Sequence, residues 1–374
     1  MKPTDGDPLD IPERYEDVTA EWLTQALRAG GVLGEQTVSG FSIEPISVAR
    51  SRNSSLARIS VSYDGQAAGL PNSLFAKFVS RIPANRERAA DRELFRTEIA
   101  MYKHLGDMMP LNMPKMYFGF AKEGSDVAVL LMEELDGIPK AGLSVAEEWS
   151  LTKSEAFLAL RELSGMHARW WGDESIGEYR WLLPVVCDRR RKEYNIYEDG
   201  WVKLRDVIEP ILGPPEIRIC DRLSGFLPTL MSELDQMPMI LCHGDYHAGN
   251  LLWDELGEPS TVWAIDWQAP AIGPAILDVS FLLGTSVTRN NLKFVRQEYL
   301  PEYHGALIDS GVNDYGYERF LSDYRYGLLD VLQRVMGALA VVDFGRPDAA
   351  EVIHPLVGNL TAAAEDAGCG QLMS

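Results

Sequence analysis

The chain is 374 residues long and holds only four cysteines, Cys187, Cys220, Cys242 and Cys369, no two of them in C-x-x-C spacing. That spacing excludes the short-range zinc patterns, and so few cysteines in so long a chain exclude a disulfide scaffold. A reducing cytoplasm is the expected setting. No apolar run approaches the roughly 18 residues that a membrane-spanning helix needs. Residues 1–17 are polar and acidic, without the basic start and apolar stretch of a secretory leader, so a soluble cytoplasmic protein is expected. Positive charge is scarce: 35 Lys and Arg stand against 55 Asp and Glu, a net −20. Coulomb repulsion then opposes a broad nucleic-acid or anionic-membrane surface, though not a small basic pocket for a polyphosphate. Several common motifs are missing too. No Gly precedes a Lys, so there is no Walker A loop, and H-E-x-x-H, G-x-G-x-x-G and G-x-S-x-G are all absent. Zinc hydrolysis, Rossmann dinucleotide chemistry and nucleophile-elbow hydrolysis lose their usual handles.

What is present suffices for a sizeable core: 46% hydrophobic residues, including 9 Trp, 14 Tyr and 12 Phe. Residues 19–29 fit an amphipathic helix with Trp22, Leu23, Ala26 and Leu27 on one face, Thr19 at the start and Gly30-Gly31 at the end. The period then changes. Residues 41–48, 56–63 and 74–79 read as strands, 91–105 as a helix carrying Glu98 beside its apolar stripe, and 115–120 and 127–132 as two more strands. The first third is thus a small α+β unit. Residues 133–137, Glu-Glu-Leu-Asp-Gly, are polar, end in a turn signal and form the candidate linker. Beyond them the chain is helix-rich, at 151–171, 219–234 and from 275 onward, with short strands at 239–242, 251–253 and 261–265.

The chemistry-bearing residues concentrate between 241 and 278. The segment reads His243-x-Asp245-x-x-x-x-Asn250, followed by Asp266 at the end of an apolar strand. Asp and Asn between strands are usually turn formers. Held together on strand-bounded loops, they also supply hard oxygen ligands of the kind Mg²⁺ prefers, and a carboxylate able to accept a hydrogen bond from a substrate hydroxyl.

This pattern resembles the aminoglycoside phosphotransferase and choline-kinase-like family of the protein-kinase-like fold, whose signature is H-G-D-x-x-x-x-N followed by an I-D strand end. Trp267-Gln268 after Asp266, with Gly273-Pro274 and Asp278 ahead of an apolar helix, is most similar to the ecdysteroid-kinase-like branch. The resemblance runs from about residue 41 to the C-terminal helices and is strongest at 241–283. It implies a two-lobed α+β fold: a small β-rich nucleotide-binding lobe at 1–132, a hinge at 133–137, and a large helical catalytic and substrate-binding lobe at 138–374. It implies an ATP- and Mg²⁺-dependent kinase that transfers the γ-phosphate to the hydroxyl of a small molecule. The alternative is a catalytically silent nucleotide-binding regulator on the same fold. A protein kinase is disfavoured by the missing glycine loop, by H-G-D in place of H-R-D and by D-W-Q in place of D-F-G.

The roles that the resemblance implies are these. Asp245 orients and deprotonates the acceptor. Asn250 and Asp266 hold Mg²⁺. Lys77, in Phe75-Ala-Lys-Phe78, contacts the ATP phosphates, with Glu98 as its ion partner. Backbone groups of Glu133 and Leu135 meet the adenine edge. The stretch 49–56 has no glycine; Asn53, Ser54 and Ser55 can present N–H groups and hydroxyls to phosphate, or form a plain hairpin turn. His243 braces the catalytic loop, Asp278 holds it by hydrogen bonds, and His247 belongs to the loop or the substrate rim. His167 reads as a satisfied core histidine. Trp170, Trp171 and Trp201 fit an aromatic cation box or, as the better reading, core packing. The acceptor is expected to be a largely uncharged alcohol in preference to an aminoglycoside.

Overall fold

The computed structural model describes residues 9–46, 54–135, 150–187, 196–255, 259–339 and 349–373. The chain forms two compact units, one of residues 1–109 and 113–136, the other of residues 110–112 and 137–374.

The first unit is built on one sheet. Helix α1 (Ala20–Ala29) starts where the Thr19 hydroxyl accepts the Trp22 N–H at 3.1 Å and buries Trp22, Leu23, Ala26 and Leu27. It stops at Gly30, where a Cβ would overlap the Tyr117 carbonyl. Strands β1 (Val38–Ile46), β2 (Ser54–Tyr63), β3 (Ser73–Val79), β4 (Met116–Ala121) and β5 (Ala128–Glu133) pair antiparallel in the order β1-β2-β3-β5-β4. Ile59, Leu74, Ala76, Phe78, Val129 and Leu131 pack with the α1 residues as one core. Side chains alternate along a strand, so Lys77 is directed to the opposite face of β3 from Ala76 and Phe78. Its register neighbours are Leu56 on β2 and Leu130 on β5.

The helix expected over 91–105 begins at Leu94, and a further helix, not expected from the sequence, precedes it. Helix α2 (Pro83–Asp91) ends at Arg92, and α3 (Leu94–Leu105) begins after Glu93, whose φ of 53° is left-handed and interrupts the helical ladder. Helix α2 buries only Ala89, so it has no apolar stripe for a periodicity argument to find.

The second unit is mainly helical. Helix α4 (Lys153–Arg169) opens with a capping box between Thr152 and Glu155, and is followed by α5 (Ile196–Ile208) and α6 (Pro214–Asp235). Four short strands follow, β6 (Met239–Cys242), β7 (Leu251–Trp253), β8 (Val262–Ala264) and β9 (Ala271–Pro274), pairing β6 with β9 and β7 with β8, both antiparallel. Helix α7 (Ile276–Ser286) is buried at every residue, as a helix enclosed by others must be. Helix α8 (Leu300–Asp309) packs on α4, while α9 (Tyr317–Leu339) and α10 (Ala349–Asp366) pack against α7. Gly327 allows α9 to approach closely, since a Cβ there would overlap the Ser280 hydroxyl. No helix among the described residues is long and apolar enough to cross a membrane.

Candidate active site

In the first unit, β3 and α3 bring Lys77 and Glu98 together. The ammonium Nζ donates to both Glu98 carboxylate oxygens at 2.8 Å, and both side chains are buried. Each charge offsets the desolvation of the other. Ser54 and Ser55 are the first residues of β2, in register with Val79 and Phe78, so the strand begins two residues before its expected start; Asn53 lies outside the described residues. The Glu133 N–H is taken by the Lys115 carbonyl at 2.7 Å, so Glu133 can offer an adenine its carbonyl but not its N–H. Leu135 is the last described residue of the expected hinge, and its positions 136 and 137 lie outside the described residues. The carboxylate of the intervening Glu134 is held by Arg58 and Ser73, an anchor that sequence reasoning missed.

In the second unit, the loop between β6 and β7 carries the H-G-D turn. Gly244 has φ +80°, and a Cβ there would overlap the Ala269 carbonyl, so no other residue fits. The buried Asp278 carboxylate, on the first turn of α7, accepts the His243 N–H at 2.7 Å and the Gly244 N–H at 2.8 Å. It also takes His167 Nε2 at 3.3 Å, while His167 Nδ1 meets the Tyr303 hydroxyl at 2.7 Å. Burial acts to raise the Asp278 carboxyl, but the His167 hydrogen bond, with smaller contributions from His243 and the Gly244 N–H, holds it below its ordinary value. It is therefore an acceptor only, so in the neutral ring His167 donates from Nε2 and accepts the Tyr303 O–H at Nδ1. The core histidine of the sequence reading is thus buried and satisfied, and one of its partners is the anchor of the H-G-D turn.

His243 is buried and held neutral, its pKa lowered chiefly by desolvation. Its Nδ1 accepts the Asp245 N–H at 3.2 Å, leaving Nε2 to donate to the Ile265 carbonyl at 3.1 Å. Trp267, fully buried, packs against this imidazole at 4.3 Å between ring centroids, so it supports the brace from within the core.

Asn250 and Asp245 meet directly. The Asn250 amide nitrogen donates to the Asp245 backbone carbonyl at 2.9 Å and to its carboxylate at 3.2 Å. On the other carboxylate oxygen, His247 Nε2 stands at 3.7 Å. Burial tends to raise the Asp245 carboxyl, but the facing His247 and the guanidinium of Arg334 outweigh it and bring the carboxyl down to about 2. The group is thus a carboxylate at neutral pH. The Asn250 carbonyl accepts the Ile265 N–H at 3.0 Å, which ties Asn250 to the residue before Asp266. Asp266 has φ +64°, a conformation unusual outside glycine that turns the chain sharply at the strand end. Asn112 fastens β8 from outside the loop: its carbonyl accepts the Ala264 N–H at 2.9 Å and its amide donates to the Val262 carbonyl at 3.2 Å.

The donor set fits Mg²⁺. The Asn250 amide nitrogen is committed to Asp245, so the side-chain oxygen Oδ1 is the atom it could present to a metal, and Asp266 could present a carboxylate oxygen. Among the described residues no cluster of three or more His, Cys, Asp or Glu could hold a metal by itself. A Mg²⁺ site completed by phosphate and water needs no such cluster.

The other residues singled out in the sequence find plainer places. Trp170 and Trp201 are buried, which leaves no cation box with half-buried Trp171, whose indole donates to Asp314 at 3.2 Å. All four cysteines are free thiols.

Comparison with known proteins agrees with this layout. The model of the ecdysteroid kinase-like family matches residues 217–316, a segment that holds the whole H-G-D loop, Asp266 and Asp278. No individual curated protein matches the chain by sequence. Among solved structures, the microcompartment-associated aminopropanol kinase is similar at 14% identity, covering 94% of this chain and 100% of its own, with a TM-score of 0.54. Choline kinase from Cryptosporidium parvum Iowa II is similar at 12% identity, covering 94% and 98%, with a TM-score of 0.53. A GDP complex of an aminoglycoside 2′-phosphotransferase-IIIa variant is similar at 11% identity, covering 95% and 99%, with a TM-score of 0.50. The chain therefore has the protein-kinase-like fold, a β-sheet unit and a helical unit, and the family resemblance seen in its motifs holds.

Proposed function

We propose that this protein is a phosphotransferase that moves the γ-phosphate of ATP to the hydroxyl of a small molecule. The observation that carries the reading is the Asp245 carboxylate, ionised, fixed by Asn250 and set in a turn whose peptide groups are braced by Asp278 and His243. Asp245 accepts a hydrogen bond from the acceptor hydroxyl, orients it and takes its proton as the oxygen attacks. Lys77 binds the α- and β-phosphates, with Glu98 holding the ammonium in place. Ser54 and Ser55 offer hydroxyls to the phosphates, and the Glu133 carbonyl with the Leu135 backbone meets the adenine edge. Asn250 and Asp266 are the residues that would hold Mg²⁺, which when bound offsets charge on the phosphates. The linker at 133–137 joins a nucleotide-binding unit to a catalytic one. The silent-regulator reading is disfavoured because Lys77, Glu98, Asp245, Asn250 and Asp266 are all present. The free thiols and the acidic sequence favour a cytoplasmic protein that does not engage nucleic acid.

The acceptor is proposed to be a largely uncharged alcohol. The supporting resemblance is that of Trp267-Gln268 and of the segment matching the ecdysteroid kinase-like family. The test is a screen of neutral alcohols, amino alcohols and kanamycin-type compounds for ADP formation and a phosphorylated product by mass spectrometry. Asp245→Asn should then lower transfer by about 10³-fold, leaving ATP affinity within a few-fold, because the amide keeps the shape but cannot take the proton. Transfer close to the unsubstituted rate would remove Asp245 from this role.

A further inference from the structure

Arg334, on α9, is 90 residues from the catalytic loop in sequence, yet its guanidinium donates to the Gly244 carbonyl. That carbonyl belongs to the peptide joining Gly244 to Asp245. The same peptide's N–H, on Asp245, donates to His243 Nδ1. The peptide is thus clamped at both ends, the one before it is held by Asp278 through the Gly244 N–H, and the one before that through the His243 N–H.

The clamp answers a specific weakness. A peptide next to glycine rotates easily, because no Cβ resists the change in ψ. Rotation about this one would swing the carbonyl through the turn and carry the Asp245 side chain with it. The turn cannot supply its own clamp from position 244, since the left-handed φ and the Ala269 carbonyl leave no room for a side chain. Protein kinases carry an arginine at the middle position of the corresponding H-R-D triplet. Here that position is glycine, and a guanidinium reaches the turn from α9. Arg334 is itself placed from a second side: its guanidinium lies 5.4 Å from the centroid of the Phe281 ring on α7, and His247 stacks on the same ring at 5.6 Å.

We infer that Arg334 is a positioning residue for phosphoryl transfer, fixing the Gly244–Asp245 peptide and through it the catalytic carboxylate. The inference rests on the kinase reading for its consequence but not for its geometry, and the two can be tested apart. The variants are Arg334→Lys, which keeps the charge and one donor, and Arg334→Met, which keeps the packing and removes both. Amide hydrogen exchange over residues 241–252 of the full chain requires no turnover. Arg334→Met should exchange at least about tenfold faster there, with the β2–β3–β5 amides unchanged, and Arg334→Lys should fall between. In ATP turnover, Arg334→Met should lose about a hundredfold in kcat, the scale of a misplacement of about 1 Å, with KM for ATP within about twofold. Added guanidinium ion at non-denaturing concentration should restore part of the loss in Arg334→Ala. Unchanged loop exchange in Arg334→Met overturns the inference, whether or not turnover is found. So does faster loop exchange with an unaltered kcat. An unsubstituted protein without turnover, but with the expected exchange difference, would overturn the kinase reading while supporting the clamp.

Discussion

Two of the buried charge arrangements among the described residues are built on different plans. In the β-sheet unit, Lys77 and Glu98 meet as an ion pair, one group from a strand and one from a helix. In the helical unit, the Asp278 carboxylate is a hub that accepts two backbone N–H groups and an imidazole, all buried. A pair can in principle be exchanged for two apolar side chains of similar volume with little loss of stability. A hub cannot, because its partners include main-chain groups that remain whatever is done to the side chain.

The largest effect should therefore come from the hub. Asp278→Ala leaves the His243 and Gly244 N–H groups and His167 Nε2 without their acceptor, and at about 1–3 kcal/mol for each stranded group the cost should be about 4 kcal/mol, measured by urea unfolding. Transfer should be lost with it, since the H-G-D turn loses its anchor. Charge is part of the effect. The carboxyl is held below its ordinary value in the fold, so its contribution is fully present above the unfolded value of about 4 and is lost as pH falls through the lowered folded value. The stability gap between the unsubstituted protein and Asp278→Asn should be full at neutral pH and narrow below about pH 4. A gap that stays constant into acid would make Asp278 a matter of shape alone.

The pair should behave otherwise. Lys77→Met strands a buried carboxylate and should cost about 3 kcal/mol, whereas Lys77→Met combined with Glu98→Leu should return to within about 1 kcal/mol of the unsubstituted protein. ATP binding should be weakened in both, because stability is recovered without the ammonium. If the double variant is as unstable as the single one, the sheet unit also holds a hub, and the contrast fails.

How much of this was legible in the sequence follows from distance along the chain. The H-G-D-x-x-x-x-N segment and Asp266 lie within 24 residues and form a readable motif. Lys77 stands out as a charge among apolar strand residues, and Glu98 as a carboxylate beside a helix stripe. The sheet was readable because β2 alternates and β3 is a short apolar run. Arg334, Asn112 and the Glu134 anchor were not, because each acts through a backbone group or a side chain that only the folded chain brings near. Helix α2 has no stripe, β9 is four residues long and ends in Gly-Pro, and the break at Glu93 requires a left-handed glutamate that no propensity favours. Helix α5 is a different case: Tyr197, Trp201, Leu204 and Ile208 give a proper stripe, so its omission from the sequence reading was not a limit of the sequence.

The smallest effect asks how far the hub extends. Tyr303 is fully buried, and burial raises its hydroxyl pKa far above the usual range, so it acts as a neutral hydrogen-bond donor. It meets only the far nitrogen of His167, two bonded steps from the H-G-D turn. Tyr303→Phe keeps the ring, its stacking on Phe320 and its volume, and removes one hydrogen bond, so the expected loss is about 1 kcal/mol. If His167 serves the turn only by presenting Nε2 to Asp278, the rest of the fold can still hold the ring, and kcat should change by no more than about threefold, the factor that 0.6 kcal/mol represents. A much larger fall in kcat at the same small stability cost would mean that the Tyr303 hydroxyl selects the His167 tautomer that the turn requires. The hub would then reach through α4 to α8, and the contrast with the Lys77–Glu98 pair would be wider than the stability measurements alone reveal.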